Sequence, residues 1–123
     1  MTVLHQIRRI AEVEFSDLLT DVQPFGSKLR VFIRDGSFVD VWVSEKVAAR
    51  FGFHWERGHL DGTLYRYDNF PDALWQTLET FPYHFHNGSQ DKVEASTFPT
   101  DLLPAFRAFM TFLASRLDPA RAP

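Results

Sequence analysis

Side chains that could transfer protons or bind phosphate are concentrated in three short stretches between residues 54 and 86. These stretches are His54-Trp55, Arg66 to Asn69, and His84 to His86. Histidine has an ordinary pKa of about 6.5, so it can accept or donate a proton near neutral pH. Arginine presents several donors in one plane, which suits the oxygens of a phosphate group. These residue types therefore predict acid–base chemistry on a phosphate-containing substrate.

Metal-independent cleavage of RNA is the first reaction that this set could perform. It needs a base for the 2′-hydroxyl proton, an acid for the leaving oxygen and a cation for the charge that develops on phosphorus. We interpret His84 and His86 as the acid and base candidates and Arg66 as the cation. Asp68 would orient a partner, and His54 would assist. This interpretation requires no cofactor.

A metal site is the second chemistry that the same residues allow. His84 and His86 are two residues apart in an extended segment, so their side chains project to one side. Together with His54 or Asp68 they would form a set of three histidines or of two histidines and one carboxylate. The sequence does not separate a metal site from metal-free catalysis.

Contacts to an RNA strand are predicted from cations and aromatic rings between residues 28 and 67. Lys28, Arg30 and Arg34 alternate along one strand, where they could bind phosphates. Trp55 and Tyr67 could stack on bases. The ordinary alternative is that alternating charges form the exposed face of a sheet and that the aromatic residues belong to the core.

Several polar residues are better interpreted as parts of turns or of the surface. Asn69, Pro71 and Gly88 are typical turn residues, and Asn side chains in turns commonly bind the backbone. His5 and His59 are expected to be surface residues.

Alternation of apolar and polar residues predicts a series of strands in the middle of the chain. Asp35-Gly36 lies between two such runs and indicates a hairpin. Residues 69–80 are expected to form a loop with a helical turn, and residues 81–86 to be extended. The predicted strands cover residues 27–34, 37–44, 51–57, 63–68 and 92–96.

Apolar residues at intervals of three and four predict a helix at each end, over residues 2–20 and 101–117. Short connections between consecutive strands favour antiparallel pairing. We therefore expect a two-layer α+β fold, with an antiparallel sheet of about four to six strands packed against N- and C-terminal helices. Residues 1–117 would form a single domain, and residues 118–123 a flexible tail.

Composition excludes several classes of protein. The 123 residues include 13 Lys and Arg against 16 Asp and Glu, a net charge of −3, which excludes a strongly basic nucleic-acid-binding module but not a local basic groove. The absence of cysteine excludes a disulfide framework, a thiolate zinc site and a cysteine nucleophile. No apolar run is long enough for a membrane span, and the N-terminal residues do not resemble a signal peptide, so we expect a cytoplasmic protein.

Taken together, the motifs resemble the TumE-like family of small bacterial toxins from toxin–antitoxin modules. The resemblance covers about residues 28–112 and implies a growth-inhibiting protein encoded beside an antitoxin with a helix-turn-helix domain. The matching residues are Asp35-Gly36-Ser37, then Phe51, His54 and Trp55, then Arg66, Asp68, Asn69 and Pro71, and finally Thr80, Phe81, Pro82, His84, His86 and Gly88.

The chain departs from the family pattern at two positions. Asp72 stands where the family has a histidine after the proline, and Tyr83 stands where it has a histidine after Phe-Pro. If those two positions carry chemistry in the family, the site of this chain is altered or inactive. The five candidates assigned above are all retained.

The leading hypothesis is therefore a toxin-like RNA endonuclease, with RNA and a helix-turn-helix antitoxin as partners and no membrane association. A homo-oligomer is left open. A non-enzymatic binding module is the main alternative, because the polar residues could support an interface instead of a reaction. A metal-dependent hydrolase is the third.

Overall fold

A computed structural model describes residues 2–117, so the predicted tail at 118–123 lies outside the described residues. Helix α1 (Val3–Glu14) is followed by seven strands and then by helix α2 (Leu102–Leu117). The strands are β1 (Leu19–Phe25), β2 (Lys28–Ile33), β3 (Phe38–Val43), β4 (Phe51–Arg57), β5 (Thr63–Asp68), β6 (His84–Gly88) and β7 (Val93–Ala95).

All seven strands form one antiparallel sheet in which the spatial order follows the chain order. Each strand pairs with its sequence neighbour, which the short connections between most of the strands favour. The predicted α+β fold, with one antiparallel sheet and a helix at each end, is therefore confirmed. The sheet has seven strands, which is more than the expected four to six.

Strand β1 accounts for the extra strand and corrects the predicted N-terminal helix over residues 2–20. Helix α1 ends at Glu14, and a 3₁₀ turn at Ser16–Leu18 leads into β1. Only Val22 of β1 is buried, so this strand shows no apolar alternation that would reveal it. Pro24 is tolerated because β1 lies at the edge of the sheet and pairs only with β2.

The two faces of the sheet differ because neighbouring residues of a strand point to opposite sides. One face packs against both helices and forms a core rich in aromatic rings. Phe53, for example, has its ring 5.6 Å from that of Phe106 and 5.5 Å from that of Phe109 in α2. The buried residues of this core include Ile7, Ile10, Val31, Val39, Val41, Phe51, Phe53, Trp55, Tyr67, Phe106, Phe109 and Leu113.

The remaining predicted elements lie close to those observed. The strands at 27–34, 37–44, 51–57, 63–68 and 92–96 agree with β2 to β5 and β7 within a residue or two. The expected helical turn in the loop is a 3₁₀ turn at Ala73–Trp75, and the extended segment becomes a strand at His84. Among residues 2–117, neither helix is long and apolar enough to cross a membrane.

Candidate functional site

The strand register brings the three polar stretches into one row across the sheet. Arg30 lies opposite Asp40, Asp40 opposite His54, His54 opposite Arg66, and Arg66 opposite His86. Residues paired in this way on adjacent strands have neighbouring side chains on the same face. Residues far apart in sequence thus become neighbours.

A second, parallel row lies two residues along each strand. Trp42 is opposite Gly52, Gly52 opposite Asp68, and Asp68 opposite His84. Both rows lie on the face away from the helices, because the intervening residues of each strand fill the core. This polar face comprises Lys28, Arg30, Asp40, Trp42, His54, Glu56, Arg66, Asp68, His84 and His86.

Asp68, His84 and His86 form a buried cluster at one end of the polar face. One side-chain ligand atom from each lies within 4.8 Å of the others, and His84 Nε2 is 3.4 Å from Asp68 Oδ1. The loop after β5 covers the cluster with Trp75, whose ring centroid is 6.2 Å from that of His84 and 6.1 Å from that of His86. All three residues are at most 3% exposed.

Backbone carbonyls fix the orientation of both imidazole rings. Nδ1 of His84 is 3.0 Å from the carbonyl oxygen of Pro82, and Nδ1 of His86 is 2.9 Å from that of Gln90. A carbonyl oxygen only accepts hydrogen bonds, so each Nδ1 carries a proton and donates it. The Nε2 atom of each neutral ring therefore presents its lone pair to the pocket.

Burial lowers the pKa of His86 below its ordinary value, because desolvation disfavours the imidazolium. The positive charges of His84 and Arg66 act in the same direction. The hydrogen bond to Gln90 and the negative charge of Asp68 raise the pKa and only partly compensate. His86 thus favours its neutral form, in which Nε2 accepts a proton or a cation.

Arg66 links the cluster to the rest of the polar face. Its Nε lies 3.0 Å from Asp68 Oδ2, but this buried nitrogen makes no well-oriented hydrogen bond to any described residue. Asp68 Oδ1 accepts instead from the backbone N–H of Phe70 at 2.8 Å. The pairing of Arg66 with Asp68 is therefore mainly electrostatic, and the donors of the guanidinium are left for another acceptor.

Two further carboxylates on the polar face were not identified in the sequence analysis. Glu56 Oε1 lies 2.9 Å from His54 Nε2, and the hydrogen bond from His54 holds the pKa of Glu56 below its ordinary value despite partial burial. Asp40 accepts two hydrogen bonds from Arg30, at 2.7 and 2.9 Å. Strand alternation could have placed Asp40 beside Arg30 and Glu56 beside His54, because each pair shares one face.

Two adjoining pockets follow the polar face, with Arg66 in the wall of both. The larger, of about 360 Å³, contains Lys28, Trp42, His54 and Glu56. The smaller, of about 90 Å³, contains the Asp68–His84–His86 cluster. An extended ligand could occupy the larger pocket while one of its groups reaches the cluster.

The structure separates the predicted RNA-contacting residues into two groups. Lys28 and Arg30 lie on the polar face, although the Arg30 guanidinium is bound to Asp40 and sits between two phenylalanine rings, 3.8 and 4.0 Å from their centroids. Arg34 lies in the exposed turn between β2 and β3 and does not line the pocket. Trp55 and Tyr67 are buried in the core on the helix-covered face, where they cannot stack on a base.

Asn69, Pro71 and Gly88 have positions that suit their predicted turn roles. Asn69 accepts from the backbone N–H of Phe51 at 2.9 Å and donates to the carbonyl of Ala49 at 2.6 Å, so it joins two connecting segments. Gly88 has a φ of +99° at the end of β6, a conformation that residues with a side chain rarely adopt. Pro71 lies exposed before the 3₁₀ turn.

The two positions that depart from the family pattern have structural partners. Asp72 accepts a hydrogen bond from the backbone N–H of Leu74 at 3.0 Å and caps the 3₁₀ turn beside the smaller pocket. Tyr83 packs against Tyr67 with ring centroids 6.0 Å apart. Neither residue belongs to the Asp68–His84–His86 cluster.

Comparison with protein-family models gives a match. The family model described as toxin TumE matches residues 2–117, nearly the whole chain. No curated protein and no solved structure gives a significant match. The match extends from Thr2, the N-cap residue of α1, to the end of α2 and includes every residue of the polar face. The chain therefore belongs to the TumE toxin family.

Proposed function

We propose that this toxin is an RNA endonuclease that cleaves without a metal ion at the Asp68–His84–His86 cluster. The observation that carries the proposal is the convergence of two imidazole Nε2 atoms, one carboxylate and one guanidinium on the same pocket. This set contains the base, the acid and the cation that transfer of a phosphoryl group to a 2′-hydroxyl requires.

His86 is the proposed base, because its Nδ1 proton is held by Gln90 and its Nε2 is free to accept a proton from the 2′-hydroxyl. The 2′-oxygen then forms a bond to phosphorus, and the bond between phosphorus and O5′ breaks. The products are a 2′,3′-cyclic phosphate and a strand that begins with a 5′-hydroxyl.

His84 is the proposed acid. With a proton on both ring nitrogens it donates one to Pro82 and directs the other towards Asp68 Oδ1, 3.4 Å away. Asp68 thus orients the ring. During cleavage the Nε2 proton passes to the departing O5′, so the two histidines together carry one proton from nucleophile to leaving group.

Arg66 is proposed to bind the non-bridging phosphate oxygens, where negative charge grows in the transition state. It lies between His86 and His54 in the cross-strand row, so a phosphate at Arg66 is next to both histidines. His54, which is bound to Glu56, is proposed to assist by contacting the RNA strand beside that phosphate.

Cleavage of end-labelled RNA in EDTA tests this mechanism with the matched variants His84→Asn and His86→Asn. Asparagine keeps a donor near the position of Nδ1 but removes Nε2. We expect each variant to lose at least about 100-fold in rate, as for other general acids and bases. His5→Asn, at an exposed position on α1, should retain the wild-type rate.

The mechanism fails if the His86 variant keeps the wild-type rate, or if the products lack a cyclic phosphate. Absence of cleavage by wild-type protein shown to be folded would favour a binding module.

Membership of a toxin family implies an antitoxin partner. We propose that the antitoxin carries a helix-turn-helix domain and is encoded beside the toxin. Co-expression tests this: the neighbouring gene product should restore growth and co-purify with the chain. A neighbouring gene whose product does neither would contradict the proposal.

A further inference from the structure

The Asp68–His84–His86 cluster has the composition of a metal site as well as that of an acid–base site. Two imidazole nitrogens and one carboxylate oxygen form a common ligand set for Zn²⁺ and other divalent transition metals. Donor nitrogens and oxygens about 2.0–2.1 Å from a tetrahedral ion lie about 3.3 Å from each other. The separation of 3.4 Å between His84 Nε2 and Asp68 Oδ1 matches that spacing.

The outer hydrogen bonds of the cluster also fit a metal site. Histidines that bind metals commonly donate their second ring N–H to a backbone carbonyl or carboxylate, which fixes the tautomer and the ring orientation. Both histidines do this, His84 to Pro82 and His86 to Gln90. The lone pairs that an ion needs are thereby held towards the pocket before any ion arrives.

The space and the surrounding charges set the kind of ion and its affinity. A pocket of about 90 Å³ accommodates an ion and one or two waters, since a water molecule occupies about 30 Å³ in the liquid. Imidazole ligands favour Zn²⁺ over Mg²⁺ or Ca²⁺. Asp72 lines the pocket and adds negative charge, whereas Arg66 beside Asp68 Oδ2 opposes a cation.

We propose that Asp68, His84 and His86 bind one divalent transition-metal ion and that this ion switches the site off. The inhibitory part rests on the proposed function, because it requires that the same Nε2 atoms carry protons during cleavage. An ion bound to His84 and His86 occupies both lone pairs, so neither histidine can transfer a proton.

Isothermal titration calorimetry of the untagged full chain with Zn²⁺ tests the binding site. We expect one ion per chain, with affinity reduced at least tenfold in His84→Asn, His86→Asn and Asp68→Asn. His59→Asn, an exposed control, should bind as the wild type does. Arg66→Gln should bind Zn²⁺ more tightly, because it removes a positive charge beside Asp68.

Absence of Zn²⁺ binding by the wild type, or binding that survives in the His84 and His86 variants, would overturn the site. Such a result would leave the proposed function intact if RNA is still cleaved in EDTA.

RNA cleavage with and without Zn²⁺ tests the inhibitory role. We expect one equivalent of bound Zn²⁺ to stop cleavage and EDTA to restore it. Cleavage that is lost in EDTA and returns with Zn²⁺ would overturn both the inhibition and the metal-free mechanism. The proposed Zn²⁺-binding site would still stand. Zn²⁺ binding without cleavage under either condition would contradict the proposed function and the inhibition together.

Discussion

At the scale of single residues, Asp35 is a carboxylate whose contacts are entirely structural. It accepts from the backbone N–H and the hydroxyl of Ser37 and pairs with Arg57. The Ser37 hydroxyl in turn accepts from Trp55 Nε1 at 2.8 Å. The Asp-Gly-Ser motif that matches the family pattern thus joins the β2–β3 turn to the core tryptophan and lies outside both pockets of the polar face.

The pH dependence of folding stability should reflect this network. Burial is the largest effect on Asp35 and raises its pKa, but hydrogen bonds from Ser37 and Arg57 together outweigh burial, so the pKa of Asp35 in the folded protein lies below its ordinary value. A lowered folded pKa stabilises the protein above the unfolded pKa, and this stabilisation disappears as the pH falls through the folded pKa. Asp35→Asn should therefore cost about 1–2 kcal/mol at pH 7 and much less in strong acid.

Urea unfolding of the wild type and of Asp35→Asn, measured from pH 7 down to about 2.5, checks this prediction. A difference in unfolding free energy that stays constant over the whole range would show that the charge of Asp35 contributes nothing.

The side chains that line the polar face could be predicted from residue types and spacing, whereas their burial could not. His54, Arg66, Asp68, His84 and His86 share the polar face, as their spacing in strands suggests. Trp55 and Tyr67 are aromatic residues of the kind that stack on bases, but the alternation of each strand places them on the core side of the sheet. The covering of both site histidines by Trp75 depends on a long connection whose path no local pattern specifies.

At the scale of elements, Gly52 in β4 allows Trp42 of β3 to lie across the polar face. A Cβ atom at position 52 would be 2.5 to 2.7 Å from three atoms of the indole ring. Real side chains do not approach this closely, so either the indole or the strand must move. Because Gly52 also pairs with Asp68, the indole sits beside the row that holds the cluster.

Gly52→Ala should therefore destabilise the fold by about 1–3 kcal/mol, as overpacking commonly does. In a Trp42→Ala background the same change should instead stabilise it by up to about 1 kcal/mol, because Ala is favoured over Gly within a strand. Urea unfolding of the four proteins gives this double-mutant cycle.

Gly58→Ala is the matched control for the substitution itself. Its added Cβ would meet only the carboxyl group of Glu56, the end of a flexible side chain, so the cost should be small. If Gly52→Ala costs the same with and without the Trp42 indole, close contact between the two residues is not the cause.

The elements themselves could mostly be predicted because binary patterns and one hairpin signal specify them. Asp35-Gly36 fixes the β2–β3 hairpin, and so the pairing of Arg30 with Asp40. Strand β1 could not be predicted, since a strand with a single buried residue has no period, and the apolar stripe of α1 continues through Phe15, Leu18 and Leu19. A 15-residue connection separates β5 from β6, and a connection of this length does not specify which residues of the two strands pair.

At the scale of the whole molecule, the two faces of the sheet differ in role: one forms the apolar core and the other is the polar face. Both helices cover one face, so the other can carry charged residues without weakening the core. The polar face is not strongly basic, because Arg30 is neutralised by Asp40 and Arg66 faces Asp68. Lys28 is the cation of the larger pocket for which no ion pair is seen among residues 2–117.

Under the proposed function, a chain with a net charge of −3 attracts RNA through a few local cations rather than through its overall field. Lys28→Glu should raise the KM for RNA about tenfold and leave kcat within about twofold, because Lys28 lies away from the cluster and would contact only phosphate. Arg9→Glu changes the net charge equally, but it lies exposed on α1, which covers the opposite face. Cleavage kinetics at low and moderate salt distinguish the two: the Lys28 variant should lose part of the salt dependence, and the Arg9 variant should keep it. Equal effects of both substitutions would mean that RNA responds to total charge, and the larger pocket would then not be its binding groove.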